Sequence, residues 1–512
     1  MKKLLIVLFI PLFSFAQEEV SHLDLGLDFY EAGMYDKSIM EFNTSIKTET
    51  TNNDVYYFRG RSYYQADDYI NAEIDFTTYL GFNPEDTASF FYRGYSRLQL
   101  LKYKESLSDF SQYIEYVDDY PTAYYDRALC YFYMSENKDT LLLAEQDYTK
   151  AIELDSERSS YYYYRGKCRF ELNDYENVIP DMNFVIENNP QDTFSYYFRG
   201  YSYKQIGEYD KAIEDFTAYI GFLPENDDSY YNRGDSYQSI GNYLLSVEDL
   251  TMAIALMDKS DSSDVYYYYF ERGLSYYRMG KHRLSIEDYN KVIDVSKTSS
   301  TPFYNRGLGY FYLHNYPFAI VDFIKAIAID SSELDYHYYL GESYYFSENY
   351  SLAKDAFSKV LELNENDFWA NYFYGLSLLE LNFAEKSITA FNKCLEIDPN
   401  FKNAYYKIGV AYSDIGETDL SIKNLSEAIK IDSDFTRAII TRAYVYKESA
   451  NYRKSITDAN RVLKLDPEHA YAFWIRGIAK HYIGFQDPCP DLKKACLQGY
   501  GCEDYKIWCE EE

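Results

Sequence analysis

Histidine is scarce in this chain, and its six copies, His22, His282, His314, His337, His469 and His481, never cluster. No H-E-x-x-H, no G-x-S-x-G and no phosphate-cradling glycine loop is present. No catalytic residue, no metal site and no cofactor is therefore expected. Positive charge is also short, with 50 basic against 82 acidic residues and a formal net charge of -32. A surface of that sign repels nucleic acid, so none is expected as a partner. Long apolar runs are missing as well. The run Leu4 to Phe13 is far below the roughly 20 residues a membrane span needs. The seven cysteines include no C-x2-C pair, which leaves zinc the weaker use for them.

Tyrosine is the excess: 63 copies, with an aromatic share of 19%, place aromatic packing at the centre of whatever this chain folds into. The stretch 193–224, TFSYYFRGYSYKQIGEYDKAIEDFTAYIGFLP, recurs in altered form almost from end to end. Tyr197, Gly200, Tyr203 and Lys204 stand three and four apart. Ala212, Ile213, Phe216, Ala218, Tyr219 and Ile220 repeat that spacing after a turn at Gly207, which predicts two short helices. With the small residue as phase marker, copies fall at Gly26, Gly60, Gly94, Ala128, Gly166, Gly200, Gly234, Gly273, Gly307, Gly341, Gly375, Gly409, Ala443 and Gly477. Eleven of the thirteen intervals equal 34, and the other two are 38 and 39. The extra residues fall in 135–141 and near 257–264, polar stretches that read as surface loops.

Counted from the glycine, Tyr203, Ala212, Phe216, Tyr219 and Pro224 stand at plus 3, 12, 16, 19 and 24. This pattern resembles the tetratricopeptide repeat, in which small residues let two helices approach closely. The resemblance covers roughly residues 19–485. It implies an all-α fold, a right-handed superhelical solenoid of about fourteen helix-turn-helix repeats.

One departure from the family pattern concerns the position before the glycine, which is arginine in most copies, including Arg199 and Arg233. An aspartate stands fifteen residues after the glycine of the same copies, as Asp215 and Asp249. Copies ten to twelve lack both residues. Joint gain and loss predicts a structural ion pair, because removing one partner of a buried pair costs about 3–5 kcal/mol while replacing both is near neutral. Pairing within a repeat and pairing with the repeat before are both compatible with the sequence.

The two ends differ from the middle. Residues 1–16, with Lys2 and Lys3, the apolar run and Ser14-Phe15-Ala16, read as a cleaved export signal. Its loss would leave a formal charge of -34 and a mature protein in the periplasm, the outer envelope or the medium, with no transmembrane segment. Residues 486–512 read as a cysteine-rich helical cap. Exported chains use cysteines as disulfides. Of three possible connectivities, Cys489 with Cys509 and Cys496 with Cys502 suits two antiparallel helices joined at Gly499 and Gly501.

In the resembled family the first helix of each repeat lines a groove, including the residue three before the glycine. Here that residue is aromatic in eleven consecutive copies: Tyr57, Phe91, Tyr125, Tyr163, Tyr197, Tyr231, Phe270, Tyr304, Tyr338, Tyr372 and Tyr406. Such rings can grip an extended peptide or sugar faces, or can pack on their neighbours and stiffen the wall. One turn along, the residue after the glycine breaks the symmetry, as Arg61, Tyr95, Lys167, Tyr201, Asp235, Glu342 and Tyr444. The expectation is a non-enzymatic scaffold of the bacterial envelope that holds a protein or peptide segment in its groove. A glycan-binding protein using the tyrosine row is the alternative.

Overall fold

A computed structural model describes residues 21–48, 52–135, 137–257, 262–484 and 487–509. Among these are twenty-nine helices and no strand. The leader expected at 1–16 lies outside the described residues, as do position 136 of the first insertion and 258–261 of the second. The chain divides into two compact units, 1–249 and 250–512. Each is a run of helical hairpins in which a helix packs on the one before it and the one after it. That is the architecture of a helical-repeat solenoid. Within each unit the first helices of successive repeats also touch, so they line the inner side of the stack.

The hairpin 193–222 shows how the sequence makes one repeat. Asp192 caps helix Thr193–Gln205 by accepting a hydrogen bond from the Ser195 amide at 3.0 Å, satisfying a donor left unpaired at the helix start. Gly207, at φ +82°, ends it, and helix Tyr209–Phe222 returns. A β-carbon built on Gly200 would lie 3.0 Å from Asp215 Cβ and 3.4 Å from the Phe216 ring. Any larger side chain would hold the two helices apart. Phe216 and its counterparts Phe76, Phe110, Phe323, Phe357 and Phe391 are fully buried.

The turn seven residues after the phase marker is left-handed in thirteen repeats. Glycine fills it six times, and Asp67, Leu101, Asn173, His314, Glu348, Asn382 and Ala450 hold the same positive φ. A left-handed residue with a β-carbon costs roughly 1–2 kcal/mol. Leu101 is also 69% exposed, so its side chain contributes little packing in return. Leu101→Gly is therefore expected to stabilise the protein by about 1 kcal/mol, read as a raised denaturant midpoint at unchanged slope.

The arginines before the glycine answer the question of pairing in two directions. Arg199 forks onto Asp215 of its own repeat, Nη2 to Oδ1 at 2.6 Å and Nε to Oδ2 at 2.8 Å. Its remaining nitrogen, Nη1, donates to Asn183 of the preceding repeat at 2.7 Å. The guanidinium lies 5.7 Å from the centre of the Tyr196 ring. Arg59, Arg306 and Arg476 repeat this fork and cross-link, reaching back to Asn43, Asn290 and Asn460. Arg165, Arg233, Arg272 and Arg442 reach Thr149, Thr217, Thr251 and Ser426. One residue thus closes its own hairpin and ties it to the one before.

The final repeat borrows its second helix from the cysteine-rich segment. Helix Cys489–Leu497 packs on Ala470–Ile483, and its Asp491 receives Arg476 at 2.6 Å and Lys480 at 2.8 Å. Burial alone would raise the Asp491 carboxyl, but the hydrogen bonds from Arg476 and Lys480 hold it below its usual range. Disulfides join Cys489 to Cys509 and Cys496 to Cys502. The last helix, Cys502–Cys509, buries no residue of its own. It is held by these bonds, by Trp508 stacked 3.8 Å from His481, and by Asp504. Replacing the four cysteines by serine should release 498–509 to proteolysis while the repeats keep their helical signal, since each loop closure contributes roughly 2–4 kcal/mol. Cys130, Cys168 and Cys394 are buried free thiols.

Candidate binding surface

Every residue of the aromatic row and of the variable row is half-buried. The aromatic row is engaged within its own repeat. Tyr57, Phe91, Tyr125 and Tyr197 meet Phe76, Phe110, Tyr148 and Phe216 at 5.8–6.1 Å between ring centres. In the second unit Phe270, Tyr304, Tyr338 and Tyr372 meet Tyr289, Phe323, Phe357 and Phe391 in the same manner, at 5.7–6.0 Å. Two copies lack the aromatic partner and turn to the next repeat instead, Tyr163 to Phe198 and Tyr406 to Phe435. Tyr231 lies under the Lys204 ammonium at 5.5 Å. Burial pushes the Tyr372 hydroxyl up to about 12 and the Tyr125, Tyr197, Tyr304 and Tyr338 hydroxyls higher still. These groups do not ionise at physiological pH, and Tyr197 and Tyr338 donate to Asp228 and Glu342.

The variable row carries the local chemistry. In the first unit the Arg61 guanidinium lies 4.3 Å from the centre of the Tyr92 ring, and its Nη1 donates to the Tyr57 hydroxyl at 3.2 Å. Arg61 Nε is buried without a hydrogen-bond acceptor. Tyr95 packs on Tyr64 and Tyr69. The Lys167 ammonium sits 5.3 Å from the Phe132 ring, at a hollow of about 630 Å³ that also takes in Ser135, Asn137 and Lys138 from the first insertion. Tyr201 meets Phe170 and Tyr175. Asp235 accepts from Lys204 at 2.9 Å.

In the second unit Glu342 accepts from the Tyr338 hydroxyl at 3.2 Å. Burial lifts its carboxyl to about 7, although that hydrogen bond pulls the other way. Tyr444 meets Tyr471 and lies 4.7 Å from the Lys447 ammonium. Among the described residues no group of three histidine, cysteine or acidic side chains is arranged to hold a metal ion. No described helix is long and apolar enough to cross a membrane.

Three residues that the period alone does not single out lie on the same first helices. Lys204 bridges Tyr201, Tyr231, Asn232 and Asp235. Lys447 reaches Trp474 as well as Tyr444. Asp126 is 2% exposed, its Oδ2 has no hydrogen-bond partner, and burial raises its carboxyl to about 8. The available signal for Asp126 is its column: two residues before the phase marker, its neighbours are Phe58, Tyr92, Tyr164 and Phe198.

Helix pairs of nearly constant length, a small residue at each crossing and a variable row on the inner helices define a helical-repeat protein. Family models described as tetratricopeptide repeat match residues 334–367, and also 195–224, 266–299, 370–401, 403–435 and 436–469. The chain belongs to the tetratricopeptide repeat family. Comparison with curated proteins gives no match. Among solved structures it is similar to YrrB, titled a TPR protein with an unusual peptide-binding site, at 25% identity over 38% of this chain and 97% of that one, with a TM-score of 0.35. Similarity to MamA is 24% over 33% and 93%, with a TM-score of 0.33. The C-terminal part of a TPR repeat-containing protein from Cytophaga hutchinsonii gives 21% over 55% and 98%, with a TM-score of 0.37.

Proposed function

We propose that this chain is a non-enzymatic scaffold of the bacterial cell envelope that binds a segment of a partner protein along its first helices. The observation that carries the reading is a division of labour between adjacent positions. The residue before the glycine is a structural arginine in most copies. The residue after it is aliphatic in seven of the fourteen copies and arginine, lysine, tyrosine, aspartate or glutamate in the other seven, on the same inner helices. Packing demands repeat with the period, whereas recognition of an irregular partner requires departures from it. Two disulfides suit an oxidising compartment, in keeping with the leader read at 1–16.

The glycan reading has less to stand on, because eight of the eleven rings lie against an aromatic side chain of their own repeat. Capture from an envelope extract on immobilised mature protein tests the proposal. A specific protein should be retained by the wild type and lost by Tyr201→Ala/Asp235→Ala. Retention of no protein by either, together with saturable binding on a glycan array, would replace the scaffold by the sugar-binding alternative.

A further inference from the structure

The hollow between the last repeat and the C-terminal turn is built unlike any groove position before it. Trp474 stands three residues before Gly477, in the column of the aromatic row, where earlier rings of that column meet a helix of their own or the next repeat. The turn 499–501 lies there instead. Gly501 has φ +58°, and a β-carbon on it would fall 2.1 Å from Trp474 Cδ1, so only glycine lets the turn rest on the indole. The Cys496–Cys502 disulfide closes that turn.

The resulting cavity, about 340 Å³, is lined by Tyr471, Trp474, Tyr500, Glu503 and Asp504. Its rings form no flat platform: Trp474 is nearly parallel to Tyr471 at 5.3 Å, while Tyr500 is tilted by 55° at 5.8 Å. Tyr500 is 49% exposed, which leaves it open to a ligand. Asp504 accepts a hydrogen bond from Trp474 Nε1 at 2.9 Å, which fixes one carboxylate at the ring edge. Among the described residues neither Glu503 nor Asp504 makes an ion pair. The chain already applies the same chemistry from the other direction, since the Lys447 ammonium lies 4.4 Å from the Trp474 ring, neutralised by Glu448 at 2.6 Å.

We propose that this cavity takes the cationic end of a lysine or arginine side chain presented by the partner segment. Tilted aromatic rings offer their negative faces to a cation, the two carboxylates supply the counter-charge, and a chain of net charge -32 concentrates cationic ligands around itself. The inference rests on the reading that the partner is a protein. Its test does not need the partner.

The full mature chain, labelled with 5-fluorotryptophan, gives one fluorine resonance for each of Trp369, Trp474 and Trp508, with Trp474→Phe as the assignment. Titration with acetyl-Gly-Lys-Gly-amide should move the Trp474 line saturably, with a dissociation constant on the order of millimolar, as befits one cationic side chain. The matched glutamine tripeptide should leave it in place. Glu503→Gln should weaken lysine binding about threefold or more while the Trp369 and Trp508 lines stay where they are in the wild type. Equal movement with both tripeptides, no movement with either, or saturation by N-acetylglucosamine instead would overturn the proposal. Lysine binding without any captured protein would separate a correct pocket from a wrong scaffold reading.

Discussion

Asp215→Ala is expected to destabilise its repeat by about 3–5 kcal/mol, whereas Arg199→Leu/Asp215→Ala should stay within about 1 kcal/mol of the wild type. The single variant leaves a guanidinium inside the hairpin with its fork empty. The double variant installs the pair that the protein itself carries at Leu340 and Ala356. Burial works against the charge on Arg199, but the hydrogen bond and the charge attraction of Asp215 together outweigh it and hold the guanidinium proton more tightly than usual. The single variant removes that hold, but a guanidinium does not deprotonate in a protein, so Arg199 stays charged and unpaired. A repeat array need not unfold in one step, so the readout is amide exchange in helices Thr193–Gln205 and Tyr209–Phe222, supported by urea denaturation. The third nitrogen of Arg199 bonds to Asn183. Single variants should therefore loosen the preceding helix, Tyr175–Asn188, as well. A loss in the double variant equal to the sum of the two single-variant losses would show that the two residues do not act as a pair.

Asp126→Asn is expected to stabilise the protein on the order of 3–5 kcal/mol above pH 8, with no gain below pH 4. In the fold the Asp126 carboxyl titrates near 8 because it is desolvated, while in the unfolded chain it ionises near 4. Below pH 4 both states hold the proton, and the group does not affect stability. As pH rises from 4 to 8 the unfolded chain loses its proton and the folded chain keeps it, so wild-type stability falls progressively. Asparagine has the same shape and no charge to bury, and the fall disappears. Denaturant midpoints of the two proteins at pH 4, 6 and 8.5 measure the effect. Parallel curves across that range would mean that Asp126 is solvated or paired in solution. Glu342, lifted to about 7, should give a smaller effect of the same sign in Glu342→Gln.

The fold is written in the sequence because its period is nearly invariant. Gly200, Ala212 and Phe216 recur wherever two helices cross, and a 34-residue interval admits few architectures. Pairing of the arginines is less legible: joint loss in copies ten to twelve says that two positions act together, not which repeat supplies the partner. The cross-repeat bond was hidden because its acceptor changes identity, being Asn183, Thr217 or Ser426, and each reads as an ordinary surface residue. Copy fourteen is disguised by a single-residue contraction, since Asp491 follows Arg476 by fifteen positions and Asp215 follows Arg199 by sixteen.

The binding surface is the least legible part. Periodicity places Tyr197 on a helix face, but it does not tell a ring turned toward Phe216 from one left free for a ligand. Asp126 was obscured for another reason: an isolated acid in an acidic chain draws no notice until its column of aromatic neighbours is aligned beside it. Lys204 and Lys447 are inconspicuous in the same way. Both are single cations that join a ring of their own helix, Tyr201 or Tyr444, to a ring on the next repeat, Tyr231 or Trp474.

Photo-crosslinking in the cells that make the protein tests most directly whether the variable row on the first helices holds a partner. A benzophenone amino acid placed at Tyr201 or Asp235 should give an adduct with one defined protein. The same group at Glu214, exposed on the second helix of the repeat, should give none. Adducts of equal yield from 201 and 214, or none from 201 and 235 in a protein shown to be folded and exported, would contradict the account.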